Sequence, residues 1–157
     1  MLKRGMNSYV TLHESDRYVN SRYSGSDPLR MSWDATSHDD KERLLVRACA
    51  IIDALPFHRR KKDARQALSW PRVGIPDVPE GIRHAQIELA LWEALRASGD
   101  ASGEPNRAGL ISQGVTSYSI GDLSESLDGN RAAQGAMQCP SAALLLRPFM
   151  GGGYAMC

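Results

Sequence analysis

A surplus of charge is what this chain most plainly lacks. Nineteen Lys and Arg face eighteen Asp and Glu, a formal net charge of +1 over 157 residues. A dedicated nucleic-acid binder usually carries a strong basic excess on its domain, so composition alone does not point there. Near-neutrality leaves little long-range repulsion between copies and is compatible with self-assembly. Aromatic residues are scarce, at 6%. No apolar run approaches the ~20 residues that a bilayer-spanning helix needs, so a soluble protein is expected. The three cysteines, Cys49, Cys139 and Cys157, form neither a CxxC nor a metal-ligand pattern. The stretch from Met1 to Met6 is short and basic, but no apolar segment follows, so no secretion signal is expected. An odd cysteine count without such a signal suits free thiols in a reducing compartment.

Catalytic signatures are missing as well. His13, His38, His58 and His84 never fall at HxxxH or HExxH spacing. There is no GxSxG, no P-loop and no dinucleotide fingerprint. The glycine run Gly151 to Gly153 has no helix after it to hold a phosphate. Asp34 and Glu125 have no acidic partner to share a metal. Catalysis needs groups converging at fixed geometry, so the expectation is no enzyme, no cofactor and no metal.

What is present suits a packed core: 42% hydrophobic and 24% charged residues, on a length fitting one compact domain plus an arm or tail. Thr11 and Glu14 have the spacing of a capping box and predict a first helix from about Leu12 to Tyr23. The stretch Ser24 to Pro28 breaks it. Ser37 caps a second helix, His38 to Leu55, with Asp39 and Asp40 near its positive end. Leu44, Leu45, Ala48, Cys49, Ile51, Ile52 and Leu55 form its apolar stripe, on which Cys49 reads as a small hydrophobe. Pro56 stops the helix. Phe57 to Pro79 is irregular, because Pro71, Pro76 and Pro79 forbid a continuous helix. Pro79 then suits the first turn of a third helix running to about Ala97. Ile82, Ala85, Leu89 and Trp92 lie on one face of it, and Ile87, Leu91, Ala94 and Leu95 nearly opposite. Such a helix wants two partners, its own bundle and something else, such as a neighbouring subunit.

Beyond Ser98 to Arg107, a loop by composition, strand formers appear. Val115, Thr116, Tyr118 and Ile120 with the turn signal Gly121-Asp122 predict two short paired strands. An isolated hairpin is marginal in water, so this one must lean on something else. Asp128 to Gln138 is polar. Pro140 starts a short helix over Ser141 to Leu146. The stretch from Arg147 to Cys157 sets Phe149, Met150, Tyr154 and Met156 on a glycine-rich backbone and reads as a docking segment. The expected fold is mainly α: a small helical bundle (7–100), a loop and β-hairpin arm (101–138), and a short helix with an extended C-terminal tail (139–157).

The basic run Arg59, Arg60, Lys61 and Lys62 is either a phosphate contact on DNA or a solvated loop, and the neutral whole-chain balance favours the loop. Trp70 reads as a residue pinning an irregular loop to the core, and Trp33 and Trp92 as core residues.

Taken together, several segments resemble one family. They are Asn7 to Leu12, the helix carrying Arg47-Ala48 and Ile51-Ile52-Asp53, Gln66 to Arg72, and Ile75-Pro76 through Glu88-Leu89-Ala90. These are similar to small phage proteins encoded beside the capsid genes and often labelled DnaT-like single-stranded-DNA-binding proteins. Ile111-Ser112 with Ser119 to Asp122, and Pro140 with Leu145 to Phe149, resemble the head–tail connector (adaptor, head-completion) proteins of long-tailed bacteriophages. The resemblance spans most of residues 7–150. It implies a virion protein at the head–tail interface, assembled in the host cytoplasm, with no membrane partner. Copies would form a ring, typically of twelve, between the portal and a tail-side neck or tail-terminator protein. Double-stranded DNA would pass through the lumen, and the ring would help retain it. Leu144, Leu145, Leu146, Arg147, Pro148, Phe149, Met150, Tyr154 and Met156 would then dock on the portal. Val115, Tyr118, Ile120, Leu123 and Leu127 would form an arm along neighbouring subunits. The glycine-rich ending departs from that family, where a more charged one is common. Two other readings stand beside this one: a single-stranded-DNA-binding accessory protein using Arg59 to Lys62, Trp70 and Arg72, and another phage neck component.

Overall fold

A computed structural model describes residues 1–100 and 135–151. Along the chain run α1 (Leu12–Arg22), α2 (Pro28–Ala35), α3 (His38–Asp53), α4 (Glu80–Asp100), α5 (Pro140–Leu146) and a 3-10 turn, Arg147–Phe149. The protein is mainly helical, and among the described residues β-pairing is confined to isolated bridges. The hairpin expected around Val115, Tyr118, Ile120, Leu123 and Leu127 lies outside the described residues.

Each helix start is set by local chemistry. Thr11 Oγ1 accepts from the Glu14 amide at 3.1 Å, and the Thr11 amide donates to Glu14 Oε2 at 2.7 Å, so each side chain satisfies the other residue's otherwise unpaired amide. Asp27 caps α2 through the Leu29 amide at 2.9 Å, with Pro28 in the first turn. Ser37 caps α3 through the Asp40 amide at 3.2 Å. α2 is a helix that the reading of Ser24 to Pro28 as a break did not anticipate. Asp27-Pro28 both ends the preceding loop and opens an eight-residue helix. Smaller corrections concern boundaries: α3 ends at Asp53 rather than Leu55, and α4 continues to Asp100 rather than stopping near Ala97.

α4 is the axis of the body. Seven consecutive residues, Ala85 to Leu91, are buried, so the helix is enclosed all round. α2, α3 and α5 pack against it, with α1 contributing a smaller contact. Its two apolar faces are therefore both covered within one chain. That corrects the expectation that one face needs a neighbouring subunit: the second partner is α5, which follows α4 by some forty residues. Trp33 is fully buried beneath α2, its Nε1 donating to Asp16 Oδ1 at 2.8 Å.

The C-terminal segment is part of this body as far as it is described. Cys139, Ala142, Leu146 and Met150 are buried in the common core, and Leu145 and Phe149 pack against it. The extended tail expected from Arg147 onward is thus folded in through Gly151. His58 N donates to Phe149 O at 3.0 Å, Gly151 N donates to Pro56 O at 2.9 Å, and Phe57 and Met150 form an antiparallel bridge.

Candidate functional site

Three polar clusters sit inside the body, and each has a structural explanation. Glu88, 1% exposed on α4, accepts from the hydroxyls of Tyr18 and Tyr23, both at 2.6 Å, and pairs with Arg22 Nε at 3.1 Å. A buried carboxylate is tolerable only with such partners. Burial first, then the hydrogen bond to Glu88, pushes the Tyr23 phenol up to about 12. Gln86 is fully buried: its Oε1 accepts from the Tyr9 amide at 2.9 Å, and its Nε2 donates to Ser8 Oγ at 2.8 Å and Leu45 O at 2.7 Å. Asp53 accepts from the Tyr9 hydroxyl and the Ser69 amide, which ties the irregular segment to the end of α3. Cys49 is 1% exposed, and burial pushes its thiol up to about 12. This is a core position, and the low-pKa setting of a nucleophilic cysteine is absent from it. Among the described residues no group of three or more His, Cys, Asp or Glu could hold a metal ion.

The surface is more informative between α3 and α4. The chain there folds back on itself: Lys62 N donates to Pro71 O at 3.0 Å and Val73 N to Arg60 O at 3.1 Å. This pairing sets Arg59, Arg60 and Lys62 on the outside, with Lys61 half-buried. Arg59 Nη1 donates to Val73 O at 3.1 Å, over Gly74, where an added Cβ would collide with the guanidinium. Gly74 also has φ +80°, the left-handed region that glycine enters freely. Elsewhere most cations are answered by carboxylates: Arg4 and Arg83 by Glu14, Lys41 by Asp16, Arg43 by Asp40 and Arg47 by Glu93. Among the described residues the charged groups of Arg59, Arg60, Lys61, Lys62 and Arg65 form no ion pair within 4 Å, and the one carboxylate set among them, Asp63, accepts from the Arg65 backbone amide at 2.8 Å. The balance of the whole chain thus conceals a local cationic strip.

Trp70 and Arg72 do not extend that strip. Trp70 is 3% exposed and meets Phe57 and Phe149 edge-on, with ring centroids 5.3 and 5.4 Å away, so it pins the segment to the core as its sequence context suggests. Arg72 is 8% exposed, with its guanidinium 5.2 Å from the Phe57 ring and 5.6 Å from that of Trp70. The basic–aromatic surface expected from Trp70 and Arg72 is therefore corrected. Two flat groups that stack well on each other leave the surface together. Beside them runs an open groove of about 490 Å³, lined by His58, Arg59, Trp70, Ile75, Pro148 and Phe149. Sequence reading missed this groove, since its walls come from segments ninety residues apart.

Of the residues expected at a portal, Leu146 and Met150 are core, Leu145 and Phe149 are half-buried, and Leu144, Arg147 and Pro148 are exposed. Tyr154 and Met156 lie outside the described residues.

Residues 2–157 match the family model described as "Putative DnaT-like ssDNA binding protein". The chain belongs to this family. No curated protein and no solved structure matches it. The family description names a nucleic acid, and the described surface offers a run of unpaired cations, Arg59 to Lys62 with Arg65, in which Asp63 is the one carboxylate. A larger cleft of about 880 Å³ between α1 and α4 is lined by Arg17, Arg22, Arg83 and His84, among others. There Arg22 pairs with Glu88, Arg83 with Glu14 and His84 with Glu80.

Proposed function

We propose that this protein is a structural subunit of a tailed-phage particle, a head–tail adaptor working as one copy of a ring between portal and tail, around the DNA path. The reading rests on the resemblance of its segments to connector proteins. The structural observation beside it is that α4 and α5, which bracket residues 101–134 in the sequence, pack on each other. On this reading Val115, Tyr118, Ile120, Leu123 and Leu127 supply apolar groups to bury against a neighbouring subunit. Closed cyclic symmetry uses up such surfaces. Many weak contacts made at once become a strong joint.

The test is reconstitution with a portal, imaged by negative stain. The expected result is a ring added to the portal by the full chain and lost on deleting residues 115–127. Truncation after Gly151 probes portal docking. Cutting earlier would remove Leu146 and Met150 from the core and confuse docking with unfolding. A variant lacking 115–127 that still forms complete rings would end the arm reading.

A second reading is a single-stranded-DNA-binding accessory protein. The cations from Arg59 to Arg65, none of them in an ion pair among the described residues, and the family description favour it. In the adaptor reading the same strip faces passing DNA.

A further inference from the structure

We propose that the groove between the basic loop and the C-terminal turn binds a single-stranded nucleic-acid segment, seating one unstacked base beside His58, Ile75 and Phe149 with flanking phosphates on Arg59, Arg60 and Lys62. The inference rests on the second reading, that single-stranded DNA touches this strip, and adds where its bases and phosphates would sit. Its first support is charge complementarity. The cations next to the groove have no carboxylate partner among the described residues, and Arg59 belongs to both strip and groove. Phosphates gain there by releasing counterions, without first having to break ion pairs.

The second support is the lining. A duplex keeps its bases stacked inside and offers mainly phosphates to a loop of this kind. A groove of about 490 Å³ with an imidazole, a phenyl ring and a proline has a use only for a base that has left its stack.

The third support is rigidity. The wall carrying Phe149 is bonded to the loop carrying Arg59 through His58 N–Phe149 O and Gly151 N–Pro56 O. Arg59 itself has φ +64°, in the left-handed region, which non-glycine residues enter at a cost. Such conformations persist where surrounding bonds hold them, and they cluster at binding sites. Here the holding bonds are Arg59 Nη1 to Val73 O and Arg72 Nη1 to Arg59 O.

The experiment uses the full chain and fluorescence anisotropy with a labelled oligothymidylate and a duplex of equal length, across a salt series. Two groove variants are compared with R59Q/R60Q/K61Q/K62Q. His58→Ala alters an exposed side chain and is expected to fold. Phe149→Leu keeps apolar volume but removes the ring, and its thermal unfolding is followed as a control. Each groove variant is expected to weaken single-strand binding by roughly ten-fold and to leave duplex binding within about two-fold. The charge variant should weaken both, with the single-strand salt slope falling by roughly 3. If His58→Ala and Phe149→Leu leave single-strand affinity intact while the charge variant lowers it, the groove is wrong and the strip stands. If the groove variants weaken duplex and single strand alike, the single-strand assignment is overturned. Absence of binding to either nucleic acid at low salt removes both the groove and the DNA contact beneath it.

Discussion

Two leucines, two positions apart in α5, separate a C-terminal segment that builds the body from one that waits for a partner. Leu146 is fully buried, whereas Leu144 is 67% exposed. Truncating a buried leucine to alanine loses its transfer free energy and leaves a cavity, together costing about 2–5 kcal/mol. Leu146 lies where α5 closes over α4, a tight part of the core, so the middle of that range, about 3 kcal/mol, is expected. For a chain of this size each kcal/mol moves the melting temperature by about 2–4 °C. Leu146→Ala should therefore melt roughly 6–12 °C below the parent. Leu144→Ala should stay within about 0.5 kcal/mol of it. Calorimetry and urea titration of both variants provide the comparison. The urea slope should be unchanged in each, since the same surface is exposed on unfolding. Equal stability of the two variants would falsify the packing of α5 on α4, and the residues from Leu144 onward would return to being a free docking segment.

Other outcomes follow from the buried polar groups. Burial and the hydrogen bond to Glu88 raise the Tyr23 phenol to about 12; Tyr18 is raised for the same reasons, and Tyr9 by burial and its bond to Asp53. The folded state holds these protons more tightly, so the stability they confer is complete below the ordinary tyrosine value of 10.0 and drains away as pH climbs towards 12. Urea midpoints should fall between pH 10 and pH 12, and a midpoint that stays level would contradict the buried phenols. Gln86→Leu abolishes three hydrogen bonds and strands the Tyr9 amide and Leu45 carbonyl; a loss of about 2–4 kcal/mol is expected by chemical denaturation. Cys49 and Cys139 are both buried, with thiols pushed up by burial. In a Cys157→Ser background, a thiol reagent at pH 8 should label neither until denaturant is added, and rapid labelling of the native protein would refute their placement. Gly74→Ala should destabilise by about 1 kcal/mol or more and, by displacing Arg59, alter the strip even where the body stays folded.

What could be read from the sequence was whatever a few adjacent residues decide. The Thr11–Glu14 box, the Ser37 cap, the α3 stripe and the proline opening α5 are all settled within one or two helical turns, and they stand where expected. α2 was hidden because eight residues give barely two turns of periodicity, and its capping Asp27-Pro28 doubles as a loop signal. The surroundings of α4 were hidden for another reason. Its two apolar faces announce two neighbours, but periodicity cannot say whether the second is another copy or a stretch of the same chain some forty residues on. The strip was legible in composition and the groove beside it was not, because Phe149 approaches His58 only through tertiary folding. Arg72 shows a further limit: a guanidinium reads as surface until two aromatic rings, one of them fifteen residues away, offer it a stacked place inside.

The bridge between Phe57 and Met150 bears on how the molecule comes to exist. A ribosome delivers α4 long before α5, so the newly made helix spends that interval with one greasy side uncovered. The basic loop likewise cannot settle until Phe149 and Gly151 have emerged to bond His58 and Pro56. Closure of the body therefore waits until residues 136–151 have been made, and a nascent chain stalled before them would be a sticky species in need of chaperone custody rather than a smaller working version of the protein.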